Sequence, residues 1–126
     1  MSITTMRKLN TIQKYDKLND IYVLDNPGPG GANHRYGVVY KSDTDGEIQD
    51  EIQFQCGPRK DPTSTHGWLD TDLLEMVRDR LKSFQDGPFA TEDNAKALEH
   101  IEVALMYMNK RVEERAARGV LGTNTK

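Results

Sequence analysis

The sequence predicts an α+β chain in which a small antiparallel β-meander is followed by a helical hairpin. Two observations predict this class: apolar residues alternate with a period of two in the first half, and they recur every three or four positions in the second half. The chain has 126 residues, of which 36% are hydrophobic and 29% are charged, so we expect one modest core. Chains of this size often complete their burial by forming oligomers.

The first half is expected to hold three strands joined by loops and a turn. A polar arm at 1–20, expected to form a short helix or turn, precedes a sheet region at 21–67. In HRYGVVYK, the side chains of Tyr36, Val38 and Tyr40 fall on one face, which is the pattern of a half-buried strand. The strands are expected at 21–25, 34–41 and 47–55, the turn at 42–47, and loops rich in glycine and proline at 26–33 and 56–67.

The second half is expected to be a helical hairpin at 72–119, followed by a tail at 120–126. Asp72 is a good N-cap for the first helix because a glutamate follows three residues later, and Thr91 is a good N-cap for the second. The apolar stripes are Leu74, Val77, Leu81 and Phe84 in the first helix, and Leu98, Ile101, Leu105, Met108 and Val112 in the second. No breaker precedes Gly119, so the second helix spans about 40 Å. Because this length exceeds the core of so small a chain, we expect the long helix to mediate oligomerisation.

Charge and composition argue against several classes of function. The net charge is −3 at pH 7, so a broadly basic surface for duplex nucleic acid is not expected. There is no apolar run of the roughly 18 residues that a membrane span needs, and we expect a soluble, cytosolic protein. Cys56 is the single cysteine, and the three histidines lack metal-ligand spacing. No catalytic constellation can be singled out, so we expect no enzyme activity, metal or cofactor.

Three arginines follow the apolar stripe of the long helix. Arg111, Arg115 and Arg118 lie at i, i+4 and i+7, and we call them the arginine ridge. Forked guanidinium groups suit phosphate oxygens, which makes the ridge a candidate anion site. Pairing with Glu113, Glu114 and the negative end of the helix dipole is the alternative explanation.

Asn94 is the polar residue at the other end of the same stripe, 17 positions before Arg111. That separation corresponds to about 25 Å along a helix, roughly twice the span of a mononucleotide-sized ligand. One chain therefore cannot easily place both side chains on one small ligand, whereas two chains packed antiparallel along this helix can. A site shared within a dimer is the economical geometry.

Aromatic and basic residues outside the ridge have both a structural and a functional interpretation. Phe84 occupies a stripe position and Phe89 a corner, so both are candidates for packing. A base can instead stack on an exposed ring of Phe84, with the amide of Asn94 reading the base edge. Arg59 lies in a loop that is either merely solvated or able to close over a phosphate.

Two motifs in the second half resemble a known family. Residues 84–98 read FQDGPFATEDNAKAL and residues 109–123 read NKRVEERAARGVLGT. They resemble the hairpin domain shared by phage anti-CBASS cyclic-oligonucleotide sponges and the first class of anti-Thoeris sponges, which capture cyclic ADP-ribose isomers. The segments DNPGPGGANHRYGVVY (25–40) and FQCGPRK (54–60) are similar to the anti-Thoeris group alone, so the resemblance covers roughly residues 20–123.

The resemblance implies a non-catalytic protein that sequesters a cyclic ADP-ribose isomer in the cytoplasm of the infected bacterial host. It implies a homodimer with pockets between protomers, and a hexamer built as a trimer of dimers in members that also bind CBASS cyclic di- or trinucleotides. The matching ligand residues are Phe84 for stacking, Asn94 for the base edge, and Arg111, Arg115 and Arg59 for phosphate. The candidates for a second cyclic-oligonucleotide site are Arg118, Gly119 and Val120.

Two other functions stay open at this point. One is a phage enzyme that hydrolyses the nucleotide signal, and the other is a small nucleic-acid-binding regulator. The net acidic charge argues against the regulator, and the lack of an acid, base or metal constellation argues against the hydrolase.

Overall fold

The computed structural model describes residues 6–40 and 47–126 and divides the chain into two compact units. The first unit comprises the described residues up to Gly57 together with Thr63–Gly67, and the second comprises Pro58–Pro62 and Trp68–Lys126. The first unit holds an antiparallel sheet and the second holds two helices, so the predicted α+β class is confirmed.

The sheet has four antiparallel strands in the order β1-β2-β3-β4. The strands are β1 (Arg7–Lys8), β2 (Asn19–Val23), β3 (Arg35–Tyr40) and β4 (Asp50–Gln53). Val23 of β2 lies opposite Tyr36 of β3, and Tyr36 lies opposite Ile52 of β4, so one face carries the alternating apolar residues of all three. This alternation is what made β2, β3 and β4 predictable.

The N-terminal arm differs from the expectation of a short helix or turn. Arg7 and Lys8 lie opposite Val23 and Tyr22, and they form the edge strand of the sheet. Two residues show no period, so the pattern in the sequence could not reveal a strand of this length. The predicted turn at 42–47 lies almost entirely outside the described residues.

The core of the first unit is small and includes a buried carboxylate. Val23, Leu24 and Val39 are its buried apolar residues within the described part of the chain. Asp20 is also buried, and its carboxylate lies 3.5 Å from the ammonium group of Lys8 and 3.6 Å from that of Lys17. Burying a carboxylate is costly without a partner, so these two lysines stabilise the arm against the sheet.

The helices are α1 (Asp70–Gln85) and α2 (Glu92–Ala117), and they pack against each other in the second unit. Thr91 caps α2 as predicted, because its hydroxyl accepts the backbone N–H of Asn94 at 3.0 Å. Gly119 follows the end of α2 with φ of 72°, the left-handed conformation that ends many helices. No helix in residues 6–40 or 47–126 is long and apolar enough to span a membrane.

The start of α1 differs from the prediction. Asp72 does not cap the helix but lies inside it, and its carboxylate accepts the backbone N–H of Leu69 at 2.9 Å. Leu69 has no polar side chain to act as a cap. The acidic residue three positions later therefore satisfies one unpaired N–H group by reaching back.

Apolar side chains of the helical unit remain substantially exposed. Neither α1 nor α2, whose residues are all described, contains a fully buried residue. Met106 is 69% exposed and Tyr107 is 70% exposed, although both lie in the middle of α2. Large apolar side chains exposed together in this way are typical of an interaction surface.

Candidate ligand-binding site

Phe84 lies in the last turn of α1, and the residue is 37% exposed. The guanidinium carbon of Arg80, one helical turn earlier, lies over this ring at 5.4 Å from its centroid. A ring that is fully packed in a core cannot receive a base. The partial exposure of Phe84 therefore permits the stacking interpretation.

The corner between the helices is closed by the side chain of Gln85. Its amide nitrogen donates to the carbonyl of Thr91 at 3.0 Å, and its amide oxygen accepts the N–H of Thr91 at 3.1 Å. The hydroxyl of Thr91 in turn caps α2 by accepting the backbone N–H of Asn94. These hydrogen bonds link the residue after Phe84 to the first turn of α2, which sets Phe84 and Asn94 on the two sides of one fixed corner.

The side chain of Asn94 is available for a ligand. Asn94 is half-buried in the first turn of α2, and only its backbone N–H is used in capping. Its side-chain amide makes no hydrogen bond to any residue within 6–40 or 47–126. A partly buried amide with both a donor and an acceptor unused is suited to the edge of a nucleobase.

The three members of the arginine ridge have different surroundings. Arg111 is exposed and forms no ion pair with any described residue. The guanidinium group of Arg118 pairs with the carboxylate of Glu114 at 2.9 Å, as the alternative explanation of the ridge expected for this residue. Glu113 instead accepts a hydrogen bond from Asn109 at 3.1 Å.

Arg115 is occupied by the tail that follows α2. One of its terminal nitrogens donates to the carbonyls of Val120 and Thr123, both at 3.1 Å, and the other donates to the carbonyl of Thr125. The N–H of Val120 also donates to the carbonyl of Arg115 at 3.0 Å. The tail therefore folds back onto the arginine ridge. Its carbonyl oxygens accept the guanidinium hydrogen bonds of Arg115 that the oxygens of a phosphate could otherwise accept.

The basic loop that contains Arg59 lies against the same tail. The N–H of Lys60 donates to the carbonyl of Gly122 at 3.3 Å. A Cβ atom on Gly122 would lie 3.1 Å from the Cγ of Lys60, and its φ of 79° also favours glycine. This contact brings the loop to the C-terminal end of α2, beside Arg115. Gly122 lies in the second motif of the family resemblance, but its contact with Lys60 could not be predicted from the sequence.

The candidate residues thus form two groups at opposite ends of α2. Phe84 and Asn94 belong to the helical corner, whereas the ridge and Arg59 belong to the tail end of α2. Asn94 and Arg111 are 17 residues apart in this 26-residue helix. At a rise of about 1.5 Å per residue, the separation is about 25 Å.

A groove between α1 and α2 is a second feature of the helical unit. Its volume is about 770 Å³. The residues that line it are Leu69, Thr71, Asp72, Glu75, Arg78, Glu102, Leu105, Met106, Asn109 and Val112. Arg78 crosses the groove to hydrogen-bond Glu102 at 2.8 Å, and this bond is the main cause of the raised pKa of the Arg78 guanidinium group. Arg78 is thus tied to its own chain.

No cluster of three or more metal-ligating side chains occurs in the part of the chain that the structure describes.

Comparisons with known proteins bear on the same elements. The family model of the Acb2/Tad1 hairpin domain matches residues 46–113, which is more than half of the chain. A protein of Bacillus phage SBSphiJ7 named Thoeris anti-defense 1 is 43% identical over 75 residues, which cover 60% of this chain and 52% of that relative. The match thus spans about half the length of the phage relative.

Proposed function

The chain belongs to the Acb2/Tad1 hairpin-domain family, and on that premise we propose that it is a phage anti-defence protein that sequesters a cyclic ADP-ribose isomer. Holding this signal without cleaving it would keep the effector of Thoeris immunity inactive. The site of action would be the cytoplasm of the infected bacterial host. The proposal takes its biological context from the name of the phage relative, and its chemistry from the two groups of side chains at the ends of α2.

The observation that carries the proposal is the helical corner. A partly exposed aromatic ring precedes it and an unpaired side-chain amide follows it, inside the region that matches the family model. Phe84 supplies a stacking surface and Asn94 supplies hydrogen-bonding groups for a base edge. The two groups together suit a purine ring.

The phosphate half of the pocket is assigned to Arg111, Arg115 and Arg59. Because Arg111 lies about 25 Å from Asn94 along α2, the two halves of one pocket come from different protomers of a homodimer. The exposed apolar side chains in the middle of α2 support such a dimer, since a second copy would remove Met106 and Tyr107 from water.

A second site is proposed at Arg118, Gly119 and Val120, for cyclic di- or trinucleotides. It requires a trimer of dimers, in which these residues from several protomers would converge. Arg118 keeps an ion pair with Glu114 in the single chain, so its participation would require that pair to open or to be shared.

Sequestration depends on slow release. The free signal must stay below the threshold of the effector, so the protein needs a low Kd and a small dissociation rate constant. Buried hydrogen bonds to the base and phosphates favour slow release, because breaking one leaves polar groups unpaired.

Isothermal titration calorimetry with cyclic ADP-ribose isomers tests the assignment. We expect Asn94→Ala and Arg111→Ala each to weaken binding by about 1–3 kcal/mol, because each leaves ligand polar groups unpaired. The matched controls are Asn109→Ala, an asparagine of the same helix that binds Glu113, and Lys110→Ala, an exposed cation beside Arg111. Equal Kd values in the wild type, Asn94→Ala and Arg111→Ala would refute the proposed pocket.

A further inference from the structure

Arg80 differs from Arg78, the other arginine of α1, because its charge has no carboxylate partner among the described residues. Two positions earlier, Arg78 is paired with Glu102 at 2.8 Å and Glu75 at 3.5 Å. Arg80 is exposed, and it makes no ion pair within residues 6–40 or 47–126. Its guanidinium group instead lies over the ring of Phe84. The side chain is therefore held by a weak contact that a ligand can replace.

Helix geometry fixes which residue can cover the ring. Arg80 and Phe84 are at i and i+4, so their side chains are neighbours on one face of α1. Lys82 is two residues from Phe84 and points to a different face. The side chain of Arg80 is thus placed to cover the Phe84 ring, whereas the nearby cation Lys82 is not.

The ring and the guanidinium group must move apart by a small distance to admit a base. The guanidinium carbon lies 5.4 Å from the ring centroid. A planar base between ring and guanidinium group needs two contact distances of about 3.5 Å, or about 7 Å in total. An increase of under about 2 Å is within the reach of the flexible arginine stem, so α1 itself need not move.

The chemistry of the guanidinium group suits the same ligand. It is planar and can stack on a base, and its positive charge favours a ligand that carries phosphates. A lysine supplies the same charge but has no planar group that can stack on a base. A comparison of arginine with lysine at this position therefore distinguishes stacking from a purely electrostatic contribution.

We propose that Arg80 forms the second layer of the base site, so that a purine of a phosphate-bearing ligand is held between the Phe84 ring and the Arg80 guanidinium group. The inference rests on the proposed function and deepens it by adding a binding residue to the corner.

The test is calorimetric titration of the full chain with cyclic ADP-ribose isomers, using the isomer that the wild type binds. We expect Arg80→Ala to weaken binding about tenfold, the scale of a partly desolvated cation–π contact. Arg80→Lys, which keeps the charge, should still weaken it about fivefold. The matched control Lys82→Ala, which removes the same charge on another face, should stay within about twofold, as expected for an exposed charge. Circular dichroism melting of each variant checks that the fold is retained.

The outcomes separate the two claims. If the wild type binds and Arg80→Ala binds equally or more tightly, the second layer is wrong while the proposed function stands. Wild-type affinity in Arg80→Lys, or an equal loss in Lys82→Ala, reduces the effect to charge and also overturns it. If the wild type binds none of the isomers, the proposed function fails and this inference fails with it.

Discussion

Asn94 and Arg111 lie on one helix, but in the proposed dimer the two side chains of one chain belong to two different pockets. Their separation of 17 positions corresponds to about 25 Å along α2, about twice the span of the ligand. A base bound at the Asn94 of one protomer must therefore have its phosphates bound by the Arg111 of the partner. Heterodimers with defined variants separate this arrangement from a site within one chain.

In the first heterodimer, one chain carries Asn94→Ala and the other carries Arg111→Ala. One of its two shared pockets lacks both groups, and the other keeps both. We expect about half the wild-type stoichiometry with the wild-type Kd. The defective pocket would be weaker by about 2–6 kcal/mol, the sum of two losses of about 1–3 kcal/mol each, and would not titrate in the same range.

In the second heterodimer, one chain carries both substitutions and the other is wild type. Each shared pocket then lacks one group, so no pocket with wild-type affinity is expected. Co-expression with two affinity tags isolates each heterodimer, and calorimetry gives the stoichiometry and the Kd. Wild-type affinity in the second heterodimer and none in the first would refute the shared pocket.

Two further predictions concern the corner and the tail. Gln85→Ala removes two hydrogen bonds to the Thr91 backbone and should lower the free energy of unfolding by about 1–2 kcal/mol in urea denaturation, whereas Lys82→Ala in the same turn should not lower it. The same free energy of unfolding in both variants would show that the Gln85 hydrogen bonds do not stabilise the corner. Removing residues 123–126 frees donors of the arginine that binds the tail, so we expect faster ligand association by stopped-flow measurement if that arginine binds phosphate. Slower association or weaker binding would show that the tail instead forms part of the site.

The regular elements were predictable where a period extends over several residues. Tyr36, Val38 and Tyr40 marked β3, and the long apolar stripe marked α2. The prediction differed from the structure at a two-residue strand and at one helix end. Arg7–Lys8 is too short to show a period, and the start of α1 depends on whether Asp72 precedes the helix as its cap or lies inside it and reaches back. Local hydrogen bonds determine where such short strands and helix ends lie, and the hydrophobic pattern of the sequence does not reveal them.

The candidate site was predictable in its residue types but not in its contacts. The odd positions of Asn94 and the arginine ridge were visible in the sequence. The occupation of Arg115 was not, since its acceptors are backbone carbonyls, which every residue carries. The cover over Phe84 could have been suspected from the spacing of Arg80, but an i, i+4 pair alone does not say that the arginine lacks a carboxylate.

Capture without cleavage is the central claim, and one measurement tests it directly. The protein is incubated with a slight molar excess of its sites over a cyclic ADP-ribose isomer, the free ligand is removed by filtration, and the protein is then heat-denatured. Chromatography and mass spectrometry of the supernatant identify what is released. The account predicts loss of the isomer from the filtrate and its full recovery, chemically unchanged, after denaturation. Recovery of a linear product, or no loss from the filtrate, would contradict it.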